Sequence, residues 1–142
     1  MRALLDINVL IALLDQDHSM HAQAGRWFAA KAARGWASCP ITQNGCIRIM
    51  AHASYPNPLK VRAIVERLGE AIATPQHEFW ADDVSLLDSH IADRTRIHGP
   101  RQVTDLYLLA LAVRHGGCFV SFDSTIPRTA IKGAEKKHLV SL

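Results

Sequence analysis

The chain has 142 residues, 49% hydrophobic and 20% charged, with a formal net charge of +3 and a pI of about 9.0. One domain, residues 1–142, is the reading for that length, and the composition excludes a disordered chain. The small, dispersed excess of base leans toward a polyanionic partner but excludes a poly-basic arm, and no apolar run reaches the roughly 18 residues of a membrane span.

Ala3-Leu4-Leu5 is a short, wholly apolar run ended by Asp6 and reads as a buried strand. Val9 to Leu14 follows as a short helix with Asn8 near its start. A longer helix opens at Asp17-His18, carries Ala24, Trp27, Phe28 and Ala32 on neighbouring faces, and closes at Gly35. Trp36 to Cys39 is the next strand, and Pro40 suits the first turn of a helix running to about Ala53. After a loop at Tyr55-Pro56-Asn57-Pro58, the stripe Val61, Ile64, Val65, Leu68 and Ile72 marks an amphipathic helix stopped by Thr74-Pro75. His77 to Trp80 reads as a third strand, and Val84, Leu87 and Ile91 as another helix. Thr104 is the expected N-cap of the most apolar helix, Asp105 to His115, ended by Gly116-Gly117. Cys118 to Phe122 and His138 to Leu142 are the last strands.

Short apolar strands alternating with helices imply an α/β fold with a mainly parallel sheet. In such sheets, sites form outside the carboxyl ends of the strands. Asp6 and Asp123 each lie just past a strand, while Gln43 and Asp105 lie in the first turn of a following helix. Singly, each acid has an ordinary reading as a helix cap, a first-turn acid or a turn residue. Together at one sheet edge, they point to a site for a hard cation. Clustered carboxylates repel, and a divalent ion relieves the repulsion. Oxygen-only ligands select Mg²⁺ or Mn²⁺, which support in-line displacement at phosphorus.

The stretches Leu5-Asp6-Ile7-Asn8-Val9-Leu10, Cys39 to Arg48, Val103 to Ala110, and Phe122-Asp123 resemble, in order and spacing, the PIN-domain ribonucleases of the VapC type. Those are the toxins of type II toxin–antitoxin pairs. The resemblance covers nearly the whole chain. It implies a three-layer α/β/α domain, a metal-dependent endoribonuclease activity on RNA, and an Mg²⁺ or Mn²⁺ cofactor held by Asp6, Asp105 and Asp123. It places Asn8 and Thr104 as supports of the first and second acids. Arg48 matches an arginine of that motif, read as a structural ion-pair partner in preference to an RNA contact. The resemblance further implies a VapB-type antitoxin partner, a homodimer, and operator DNA bound only through the antitoxin.

Gln43 departs from the pattern, which has a glutamate in this motif. The amide keeps the shape but loses an anionic oxygen, so weaker metal affinity and an attenuated or inactive site are expected. Gln43 is either a natural change or an introduced, inactivating one; the intact motif around it favours the second. The rival readings are a non-catalytic RNA- or antitoxin-binding module, and an aspartyl-phosphate phosphatase, which would want an acid where Asn8 stands.

Arg101 and His98, just before the Asp105 helix, are candidate phosphate contacts. His18 and His21 are better read as surface histidines than as zinc ligands, and Trp27, Trp36 and Trp80 as core or interface. Cys39, Cys46 and Cys118 form no CxxC pair and read as buried reduced thiols. With no secretory leader in the N-terminal pattern, a soluble, cytoplasmic protein is expected.

Overall fold

The computed structural model describes residues 1–142, the side chain of Ala32 excepted. Five strands, β1 (Ala3–Leu5), β2 (Trp36–Ser38), β3 (His77–Phe79), β4 (Cys118–Ser121) and β5 (Leu139–Ser141), form one sheet in the order β3-β2-β1-β4-β5. Every pairing is parallel. Five α-helices accompany them: α1 (Ile7–Leu14), α2 (His21–Lys31), α3 (Pro40–Ala51), α4 (Val61–Ile72) and α5 (Val103–Arg114).

Strand alternation divides the core between the two faces of the sheet. Leu4, Ala37 and Phe119 point to the side covered by α5, where Leu108, Leu109 and Leu111 are fully buried. Ala3, Leu5, Trp36 and Val120 point the other way, against Val9, Cys46 and Ile64 from α1, α3 and α4. Burial on both faces explains why these strands read as unbroken apolar runs. The sandwich thus has the three α/β/α layers expected.

Several local expectations need correction. Residues 81–93, expected as a helix on Val84, Leu87 and Ile91, contain no helix, and Leu87 is 91% exposed. Polar side chains hold turns there instead. Ser85 Oγ accepts the Leu87 N–H and Asp88 Oδ1 the His90 N–H, local bonds that compete with helix formation. Antiparallel pairing of Ala92 with Ile131 then anchors the segment.

Thr104 is not the N-cap of α5. Pro100–Gln102 forms a 3₁₀ turn that runs directly into the helix, so Val103 is already helical and Gln102 stands at the cap. The N–H groups of Gln102 and Val103 bond to the carbonyls of Gly99 and Pro100, doing the work expected of a hydroxyl. The second helix starts later than expected, at His21, and ends in a 3₁₀ turn before Gly35, whose φ of +86° suits glycine.

Candidate metal centre

The chain leaves β1 to cover one face of the sheet and enters β4 from the other, so β1 and β4 flank the switch point of the sheet. Asp6 follows β1 there, and Asp123 lies two residues past β4. Asp105, in the first turn of α5, completes the group.

Asp6 is 7% exposed and caps α1, its Oδ1 accepting the Ile7 N–H at 2.7 Å. Its Oδ2 accepts a 2.7 Å bond from Ser121 Oγ. Burial raises its pKa; the Ser121 and Ile7 bonds oppose that rise, and the charge of Asp123 adds to it. Asp105 is pushed up to about 6, first by burial and then by the charges of Asp6 and Asp123. No hydrogen bond compensates it. Asp123 is exposed and lowered, because its Oδ1 accepts from both the N–H (2.7 Å) and Oγ1 (2.6 Å) of Thr125.

Asp123 thus acts on the ionisation of Asp6, and both act on Asp105, which bears most of the strain. Among the described residues no three acids, histidines or cysteines lie close enough together to hold a metal ion as they stand. The oxygens of Asp6 and Asp123 hold bonds from the chain, while those of Asp105 hold none. The donor set nevertheless fits a hard divalent cation: all oxygen, net negative, and partly shielded from water.

Gln43 lies one turn into α3 and faces β2, where its Nε2 donates to Ser38 Oγ at 2.9 Å. Ser38 Oγ in turn lies 2.8 Å from His77 Nε2. Asn8 is exposed in the first turn of α1, and the bonds to Asp6 come from Ser121 and Ile7 instead. Arg48 is exposed, and the ion pair expected of it is absent among the described residues. It lines an open pocket with His52 and Ser54 near the far end of α3, about 7 Å along the helix from Gln43. Arg101 and His98 are exposed just ahead of α5, and the His98 N–H is held by Gln102 Oε1. His18 and His21 each spend a ring nitrogen on the backbone, at Met20 N–H and Ala12 C=O.

Sequence reasoning missed Ser121 and Asp82. Ser121 was legible as a lone hydroxyl in an apolar strand two residues before an acid. Asp82, beyond the carboxyl end of β3, lies close enough to Cys39 and Tyr107 to raise the pKa of both, though burial is the larger cause in each.

Fold and site together define an α/β/α protein with acids gathered near the switch point of a parallel sheet. A model of the PIN domain matches residues 3–132, and the chain belongs to the PIN-domain family, VapC type. It is 54% identical to Ribonuclease VapC44 of Mycobacterium tuberculosis over 142 residues, all of both chains. It is 42% identical to Ribonuclease VapC39 of the same organism over 134 residues, 94% of this chain and 96% of that one. Among solved structures it is similar in fold to VapBC2 from Rickettsia felis bound to a DNA fragment from their promoter. The TM-score is 0.64 at 12% identity, covering 100% of this chain and 98% of that one.

Proposed function

We propose that this protein is a metal-dependent endoribonuclease, the toxin of a VapBC-type pair, with Asp6, Asp105 and Asp123 as its metal-binding acids. The observation that carries the reading is Asp105. A half-buried carboxyl with no hydrogen-bond donor, its pKa raised to about 6 between two other acids, is poised to gain a cation. A bound Mg²⁺ or Mn²⁺ would supply charge neutralisation at the scissile phosphate and a more acidic water. The chain's own residues orient that chemistry. Ser121 and the Ile7 N–H fix the rotamer of Asp6, and Thr125 fixes that of Asp123. Asp105, unbonded, is able to follow the ion. Asn8 stands next but one to Asp6 in the first turn of α1, Thr104 stands next to Asp105 in the first turn of α5, and Gln43 contributes shape without charge.

The relatives' printed names support the ribonuclease reading, and the VapBC2 fold neighbour supports a VapB-type antitoxin as partner. A homodimer, RNA contacts at Arg101 and His98, and operator DNA reached only through the antitoxin belong to the same proposal. No described helix is long and apolar enough to cross a membrane. Gln43 favours one alternative, a module that binds RNA or antitoxin without cutting. Incubation of the protein and its Gln43→Glu variant with total cellular RNA in Mn²⁺, with and without EDTA, tests the reading. Cleavage abolished by EDTA supports it. Binding of RNA without turnover by either protein supports the alternative.

A further inference from the structure

The two sides of the sheet differ in charge: the acids follow β3, while the basic segment runs from beyond β4 back to the amino end of β5. On one side, β3 and the loop after it, residues 77–88, carry Glu78, Asp82, Asp83 and Asp88. Glu78 is paired with Arg2 at 3.1 Å and Asp83 lies 3.5 Å from His115 Nε2, while Asp82 and Asp88 are in no ion pair among the described residues. On the other, residues 128–137 carry Arg128, Lys132, Lys136 and Lys137 against Glu135 alone. Four bases less one acid give +3, equal to the net charge of the whole chain, so all the rest sums to zero. Against this basic stretch lies a concave site of about 380 Å³, open to solvent and walled by Arg128, Thr129, Lys136 and Ser141 together with the apolar Ile126, Pro127 and Leu139. It adjoins the acids: Ser141 Oγ donates to the Asp123 carbonyl at 3.5 Å. Of the two bases, neither is spent in an ion pair among the described residues, whereas Lys137 is paired with Glu135.

We propose that this pocket beside Asp123 holds a backbone phosphate of RNA flanking the one that is cut, so that the strand crosses the site over β4 and β5 and avoids β3. The inference rests on RNA being the substrate. Three carboxylates repel a polyanion, so affinity for the strand must come from outside the metal centre. Arg128 and Lys136 supply two cations in a concavity, with the hydroxyl of Thr129 as a neutral donor. Asp82 and Asp88, past the end of β3, disfavour the opposite route.

Anisotropy of a fluorescein-labelled single-stranded RNA of mixed sequence, in EDTA so that nothing is cut, tests the proposal. The proteins are the unchanged chain, Arg128→Ala/Lys136→Ala, Lys136→Glu, and a control of equal charge loss on α4 across the sheet, Lys60→Ala/Arg62→Ala. Each phosphate contact on a single strand contributes about 0.7 to the salt slope. The pocket double variant is expected to lose about 0.7 of that slope and roughly tenfold in affinity at low salt, Lys136→Glu to weaken binding likewise, and the control to stay within about twofold. Thermal melts identify any variant that fails to fold, and exposed Lys136 keeps the question answerable through Lys136→Glu. Equal slopes for pocket variants and unchanged chain overturn the proposal, as does an equal loss in the control. RNA that binds through the pocket yet is never cut in Mn²⁺ would leave the pocket standing and remove the nuclease reading.

Discussion

Ser121 Oγ bridges two acids: it donates to Asp6 Oδ2 at 2.7 Å and accepts the Asp123 N–H at 3.0 Å. The hydroxyl is 1% exposed, so neither bond has water as a substitute. Ser121→Ala removes the donor that opposes the burial of Asp6, and the Asp6 pKa rises further. We expect Mn²⁺ affinity or cleavage to fall by about 10- to 100-fold, the usual cost of losing a group that orients a ligand. Stability should drop by about 1–3 kcal/mol for the unmet bonds. Calorimetric Mn²⁺ titration and a urea melt measure the two separately.

Asp105 should make activity sensitive to acid. Its raised pKa of about 6 means that protons compete with the cation as pH falls through 6, and the raised pKa of Asp6 steepens the fall. Cleavage is expected to be flat above about pH 7 and to fall by between ten- and a hundredfold per pH unit well below 6. Raising Mn²⁺ should push that limb to lower pH. Stability without metal runs the opposite way. A carboxyl whose folded pKa lies above its unfolded value of 3.8 holds protons more tightly when folded, so stability falls as pH rises from about 4 to 6. A two-unit rise corresponds to about 3 kcal/mol, and solvent screening of this half-buried group reduces that to about 1–2 kcal/mol. Asp105→Asn should therefore abolish cleavage yet raise Tm in EDTA at pH 7 by about 2–6 °C. An unchanged or lower Tm would show that Asp105 is not strained.

The elements that place the acids were legible because they obey simple periodicity. The three-residue apolar run of β1, the Pro40 start of α3 and the all-round apolar α5 each have one strong local signal. Residues 81–93 misled because Val84, Leu87 and Ile91 fit helical spacing while Ser85 and Asp88 close turns in side-chain bonds that spacing does not register. The start of α5 was misplaced because a 3₁₀ turn satisfied the N–H groups that suggested a hydroxyl cap. The three aspartates stood out by their place after strands and at a helix start. Ser121 did not, because its partner Asp6 is 115 residues away in the chain. The charge asymmetry between β3 and β5 was equally hidden until the strand order was known.

Gly45 fixes how closely α3 approaches the start of α1. A Cβ there would lie 2.4 Å from Ile7 Cδ1 and 2.9 Å from Ile7 Cγ1. Gly45→Ala gains about 1 kcal/mol of helix propensity but forces Ile7, the residue after Asp6, to move, at about 1–3 kcal/mol. We expect a net loss of stability and a slower enzyme. Ile7→Val removes the nearest clashing atom, so Gly45→Ala/Ile7→Val should recover part of both. Failure of the pair to recover either would separate Gly45 from the placement of Asp6.

Gln43 sets the direction of a short hydrogen-bond chain. Its amide donates to Ser38 Oγ, which leaves the buried Ser38 hydroxyl hydrogen for His77 Nε2. His77 is held neutral, chiefly by burial and then by the charge of Arg2. Gln43→Glu reverses the chain, since a carboxylate only accepts. Ser38 then donates to Glu, and His77 Nε2 is left to donate to Ser38, which favours a protonated ring. We expect the His77 pKa, followed by proton NMR, to rise in Gln43→Glu and the Mn²⁺ affinity of the site to increase. An unmoved His77 would mean that the glutamate side chain has swung away from Ser38.

The claim on which everything else depends is that Asp6, Asp105 and Asp123 together hold one divalent cation site. The most direct measurement is a Mn²⁺ titration followed by the electron paramagnetic resonance of the free ion, on the unchanged protein and on Asp105→Asn, at pH 7.5 and 5.5. Saturable binding at pH 7.5 that weakens at pH 5.5 and is lost in Asp105→Asn is the expected result. Equal binding by both proteins, or binding indifferent to pH across this range, would contradict the account.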